Sequence, residues 1–199
     1  MNTRKVLPVF LFLLCSVALT SVASADTAKL YFTGGVSGWS SGVGIGPYDF
    51  NINGSSSITK LVCASDNNHI NIPDMWLADV HKIDHMDGVW GKTKMQWDEA
   101  AWLTNQLILN PGNADLQNEI WYIMGFGGGQ DDPSLDAAWL SYSTSPTFKW
   151  TTDTFYIPAG TENNYNSSWK QPFIGAPEPA SLVLLGSGLL GLLGFYRKR

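Results

Sequence analysis

The chain has 199 residues, with 12 lysines and arginines against 17 aspartates and glutamates. Five of the basic residues and Glu178 lie near the two ends, so the stretch between them carries seven basic and sixteen acidic side chains, a net charge of −9. Such a domain repels phosphate backbones and excludes nucleic acid as a partner, while its nine tryptophans exclude a disordered chain.

Met1 to Ala25 has the three parts of a secretory signal. Arg4 and Lys5 give the positive start, Val6 to Leu19 the apolar run, and Ala23-Ser24-Ala25 the small residues that a signal peptidase accepts. Cleavage after Ala25 is expected, with signal peptidase as the first partner.

From Asp26 onward the chain is rich in Gly, Ser, Asn and β-branched residues. Lys29 to Thr33, Tyr48 to Ile52 and Ser57 to Cys63 read as strands, with a hairpin at Asn53-Gly54, and Leu77 to Ile83 as a further strand. The character then changes. Trp97 to Leu109 has helical spacing and stops at Pro111-Gly112. Asp115 reads as the cap of a second helix, Leu116 to Met124, ended by Gly125 and the Gly127 to Gly129 run, and Ser134 to Tyr142 as a third. Thr147 to Ile157 returns to strand-like alternation, and Ser167 to Gly175 reads as an exit linker. The expected fold is α+β: a β-rich sandwich or barrel-like domain over 26–173 with two or three inserted helices. It lies between a signal peptide, 1–25, and a tail, 174–199.

Few constellations in the domain suggest chemistry. The glycine run lacks the Gly-Lys-Ser/Thr of a phosphate loop and follows a helix instead of opening one. Asp131 and Asp132 alone fall short of the roughly six to eight oxygens that calcium takes. His81 and His85 would sit about 13 Å apart along a strand and read as surface residues. No metal site, no cofactor and no catalytic set is expected, and the chain is not read as an enzyme. Trp39, Trp76, Trp90, Trp150 and Trp169 fall in loop-like or strand-like sequence, where aromatic faces can stack on sugars. Trp97, Trp102, Trp121 and Trp139 fall on helical stretches and read as core. Cys63 is the single cysteine left after signal removal, which in an oxidising compartment fits pairing with a partner chain, a buried small hydrophobe or special chemistry.

The tail runs Pro177-Glu178-Pro179, then an apolar helix over about 181–196, then Arg197-Lys198-Arg199. About 16 apolar residues make a helix of roughly 24 Å, short of a bilayer core of roughly 30 Å. The basic triplet holds its end in the cytoplasm. This order resembles the PEP-CTERM sorting signal of exported bacterial proteins. The resemblance implies cutting near Pro-Glu-Pro by an exosortase, an integral-membrane transpeptidase. It also implies residence in the inner membrane and periplasm before sorting, then at the cell surface or in an exopolysaccharide matrix.

A second resemblance joins Cys63 to Gln117, Ile120 and Trp121. In the thioester domains of bacterial surface adhesins, a cysteine at a strand end bonds the glutamine of a Thr-Gln-x-Ala-Ile-Trp helix start. Gly46-Pro47-Tyr48 and Glu99-Ala100-Ala101-Trp102-Leu103 are also similar to that group, whereas Leu116 and Glu119 replace its Thr and Ala. The resemblance implies a Cys63–Gln117 thioester shielded by Trp121, which transfers its acyl group to an amine or hydroxyl on a target surface. Surface attachment or biofilm association is the expected function. Noncovalent carbohydrate binding, or a structural envelope role without chemistry, are the alternatives.

Overall fold

A computed structural model of the chain describes residues 26–40, 42–66, 72–125, 129–161 and 170–176. The signal peptide, the Pro177-Glu178-Pro179 tail and its helix, Trp169, Gly127 and Gly128 lie outside the described residues. No helix among the described residues is long and apolar enough to cross a membrane.

Six strands close into an antiparallel barrel: β1 (Asp26–Gly34), β4 (Tyr48–Ile52), β5 (Thr59–Cys63), β8 (Phe173–Gly175), β7 (Thr154–Pro158) and β6 (Asp74–His81), in that order around the wall. Two further strands, β2 (Gly38–Ser40) and β3 (Val43–Ile45), form a separate hairpin. Asn53 and Gly54 turn between β4 and β5, both with positive φ, as the Asn-Gly pair predicts.

The two-residue period of the strands sorts their side chains between two cores. Leu30, Phe32, Phe50, Leu61, Cys63, Trp76 and Phe173 point into the barrel. Phe50 packs edge-on against Phe173 at 4.7 Å between ring centroids and against Trp76 at 5.8 Å, so the barrel is filled and has no lumen. Such aromatic pairs contribute about 1 kcal/mol each beyond their burial. The alternate positions Val62, Phe155, Ile157 and Ile174 face outward, where the helices cover them.

The first two of three helices supply most of that cover. Helix α1 (Lys94–Leu109) opens on a capping box in which Thr93 and Gln96 bond each other's backbone N–H. It buries Trp97, Ala100, Ala101, Leu103 and Leu107 on one face, the spacing of an amphipathic helix. Helix α2 (Ala114–Ile123) starts at Asn113, whose side chain accepts from the N–H groups of Asp115 and Leu116. Helix α3 (Pro133–Ser143) starts at Asp132, with proline in its first turn.

Several expectations need correcting. Asp115 is not the cap of α2: Asn113 reaches the first free N–H groups, and Asp115 lies inside the first turn. The first helix begins three residues earlier than expected, because Thr93 caps it ahead of Trp97. Ile83 belongs to a short 3-10 turn and not to β6, and only Thr154 onward of the Thr147 to Ile157 stretch is strand. Phe173–Gly175 is no linker. It is the strand that closes the barrel between β5 and β7, so the domain runs to Gly175. Trp76 and Trp90 are buried, against the expectation of an aromatic platform.

Candidate functional site

Cys63 ends β5 with its side chain turned into the mouth of the barrel, 1% exposed. The first turn of α2 lies across that mouth and brings in Gln117, which is fully buried. The Gln117 Nε2–H donates to the Cys63 carbonyl at 2.8 Å, and its Oε1 accepts from the Gly46 N–H at 3.2 Å. Both ends of the carboxamide are therefore held by backbone. Residues 54 apart in sequence meet because β5 and α2 converge on one end of the barrel.

Gly46 is closely packed against the site. A Cβ there would come within 3.2 Å of Gln117 Oε1 and 3.1 Å of the Tyr48 ring. Tyr48, one barrel wall of the site, ties its hydroxyl to the Gly44 carbonyl at 2.5 Å.

The sulfur has its own contacts. The Cys63 thiol meets the Ser65 carbonyl and, at 3.1 Å, the Oε1 of Gln171, which is 7% exposed. Gln171 precedes β8, in what reads from the sequence as linker, and no local pattern marks it. Burial pushes the Cys63 thiol up to about 12, with the Ser65 backbone and Trp121 working against that rise and Asp66 adding to it. Burial also raises the Tyr48 phenol, and Cys63 reinforces it. Trp121 is 2% exposed and lies close enough to the sulfur to act on it. Its indole N–H has no conventional acceptor among the described residues, and it favours the ionised sulfur.

The charge at Glu119 is directed elsewhere. Two residues beyond Gln117, it lies roughly 200° around the helix. Its Oε2 accepts from the Asp132 N–H at 2.5 Å.

The tryptophans divide differently. Trp39, 71% exposed, stands on the β2–β3 hairpin, whose Gly38 packs against Gly112 just ahead of α2. Trp150 is half-exposed and lines a cleft of about 300 Å³ with Trp102, Tyr142, Asp98, Asn105 and Asp153. One face of Trp150 is covered by the Lys94 ammonium, 4.2 Å from the ring centroid. Trp97, Trp121 and Trp139 are buried and Trp102 is half-buried. His85 is exposed and His81 partly so.

Residues 176–199 match the PEP-CTERM protein-sorting motif. That match marks an exported, membrane-processed protein with an exosortase as its processing partner. It covers the tail and leaves the barrel domain unassigned. No curated protein and no solved structure matches the chain.

Proposed function

We propose that the domain attaches to surfaces through an internal thioester between Cys63 and Gln117. The observation that carries this reading is the Gln117 carboxamide, buried and fixed at both ends beside the backbone of Cys63. In the step, the Cys63 sulfur attacks Gln117 Cδ. The C–N bond breaks, and the thiol proton leaves with the nitrogen as ammonia. The Gly46 N–H already bonds the oxygen that gathers negative charge in the tetrahedral intermediate, which is the role of an oxyanion-hole donor. The burial that disfavours a free thiolate accepts a neutral thioester readily and keeps water from it. A target amine then takes the acyl group, forming an amide and returning Cys63 to a thiol; a hydroxyl gives an ester in the same way. The exposed Trp39, on the hairpin that adjoins α2, offers a first contact for the target.

The intact mass of the envelope-purified protein tests this. The expected mass is one ammonia below that of the processed sequence. Cys63→Ala and Gln117→Ala each remove the deficit, and Gln171→Ala, which alters the second carboxamide at the sulfur, keeps it. A wild-type protein of full mass whose thiol alkylates on unfolding, without any amine treatment, would falsify the thioester.

The cleft beside Trp150 supports a second reading, noncovalent glycan binding. An aromatic edge together with the accessible polar groups of Asn105, Tyr142 and Thr152 suits sugar hydroxyls. The Lys94 contact leaves that ring only one face for stacking, so this reading ranks second. Sugar-dependent quenching of tryptophan fluorescence, lost in Trp150→Ala, is the result it requires.

A further inference from the structure

We propose that Glu119, Asp131 and Asp136 form a binding site for a hard divalent cation, best matched by calcium. One carboxylate oxygen from each residue lies within 4.8 Å of the others. Calcium holds its oxygens at about 2.3–2.6 Å, so ligands on opposite sides of one ion are separated by roughly 5 Å. The three oxygens therefore fit around a single ion.

The fold builds this cluster from distant pieces. Glu119 comes from the middle of α2, Asp131 from the segment ahead of α3, and Asp136 from the first turn of α3. Gly129 makes the approach possible: a Cβ there would lie 2.1 Å from the Tyr122 backbone nitrogen, so only glycine lets the chain run this close to α2. The Gln130 N–H then bonds the Asn118 carbonyl at 3.2 Å and fixes the segment beside Glu119.

Glu119 itself points to a ligand. It is 1% exposed, and while Oε2 takes the Asp132 N–H, its Oε1 is buried with no hydrogen-bond partner among the described residues. A buried carboxylate oxygen left unpaired costs about 1–3 kcal/mol, or more when charged. The carboxylate that carries it also places an oxygen within 4.8 Å of the Asp131 and Asp136 carboxylates. Both aspartates are exposed, which leaves the outer side open for waters to complete the shell. Burial first, then Asp136, Asp131 and Asp132, push the Glu119 carboxyl up to about 7, against the lowering effect of the Asp132 N–H. Glu99 rises to about 7 as well, through burial and then Asp136 and Glu119. The charges that raise both groups are carboxylates, and a cation would relieve all of them at once. Oxygen-only ligands and a partly open shell suit calcium better than magnesium, which demands a tighter octahedron. The site stands apart from the thioester, although the ion would also neutralise the helix that carries Gln117.

The full-length protein, purified in detergent and stripped with EGTA, is titrated with CaCl2 and separately with MgCl2. Calorimetry gives stoichiometry and affinity, and tryptophan fluorescence gives the Tm. One calcium per chain and a Tm raised by several degrees are expected. Glu119→Gln and the exposed Asp136→Asn should each weaken binding at least tenfold, whereas Asp87→Asn, far from the cluster in sequence, and Cys63→Ala should bind as wild type does. Asp136→Asn keeps the test sound if Glu119→Gln fails to fold. The site is refuted if neither cation binds the wild-type chain below about 10 mM, beyond the weakest ordinary calcium sites, or if binding persists in both cluster variants.

Discussion

At the scale of single residues, burial decides which groups carry strain and which carry chemistry. Asp153 is fully buried between α1 and β7 and accepts from Asn105 Nδ2 at 3.0 Å through one oxygen, while the other has no hydrogen-bond partner among the described residues. Burial raises its carboxyl to about 6, with Asp98 adding to the rise and Thr151, Asn105 and Lys82 opposing it. The folded protein thus holds this proton to higher pH than the unfolded chain, whose carboxyl titrates near 3.8. Its contribution to stability is greatest below pH 4 and is lost as pH rises through about 6. Asp153→Asn should abolish that loss. Urea unfolding should show the variant about 2 kcal/mol more stable than wild type at pH 8 and indistinguishable from it at pH 4. A wild-type midpoint that does not fall between pH 4 and pH 7 contradicts the assignment. Cys63 illustrates the opposite use of burial. The same exclusion of water that holds its thiol protonated is what a thioester needs in order to last.

At the scale of elements, capping sets where α2 begins and hence where Gln117 points. Asn113 holds two N–H groups of the first turn, and the Gln117 backbone N–H bonds the Asn113 carbonyl at 3.4 Å. Asn113→Ala should cost about 1 kcal/mol, whereas Asp115→Ala, which removes only a favourable charge at the helix N-terminus, should cost less. Denaturant midpoints of the two variants compare them directly. Equal losses would place the cap at Asp115 after all. The elements themselves were unevenly legible. Helix α1 shows in the sequence because Trp97, Ala100, Ala101, Leu103 and Leu107 recur at helical spacing. Strand β6 shows as a strand but not in its phase: Met75 and Leu77 are as apolar as Trp76 and Ala78, yet the first two are exposed and the others buried. Strand β8 is three residues long and has meaning only once β5 and β7 stand on either side of it.

At the scale of the whole molecule, the acidic domain is followed by a sorting tail and preceded by a segment that reads as an export signal. The chain is expected to be cut twice, after Ala25 and near Pro177-Glu178-Pro179. Terminal sequencing of the mature protein should begin at Asp26 and find no Arg199. Replacing Pro177, Glu178 and Pro179 with alanine should hold the protein in the inner membrane. A mature chain that retains Arg197-Lys198-Arg199 would mean that the tail is a permanent anchor.

The sequence by itself determined the sorting tail, because such a segment is read as a linear string by the enzyme that acts on it, and residues 176–199 match the motif without reference to the barrel; cleavage after Ala25 is an expectation of the same linear kind. The resemblance to adhesin thioester domains pointed to Cys63, Gln117 and Trp121 as a group, through residue types kept in order along the chain. Only the tertiary structure decided what surrounds them. Gly46 and Gln171 reach the site from a loop ahead of β4 and a segment ahead of β8; Gly46-Pro47-Tyr48 is recognisable in the sequence without a role, and Gln171 carries no local signal. The cluster of Glu119, Asp131 and Asp136 was equally hidden. Asp131 and Asp132 are conspicuous in sequence, but the buried oxygen comes from another helix, and Gly129 draws the two together. Barrel closure brings distant segments within hydrogen-bonding distance, and no periodicity within either segment encodes that meeting.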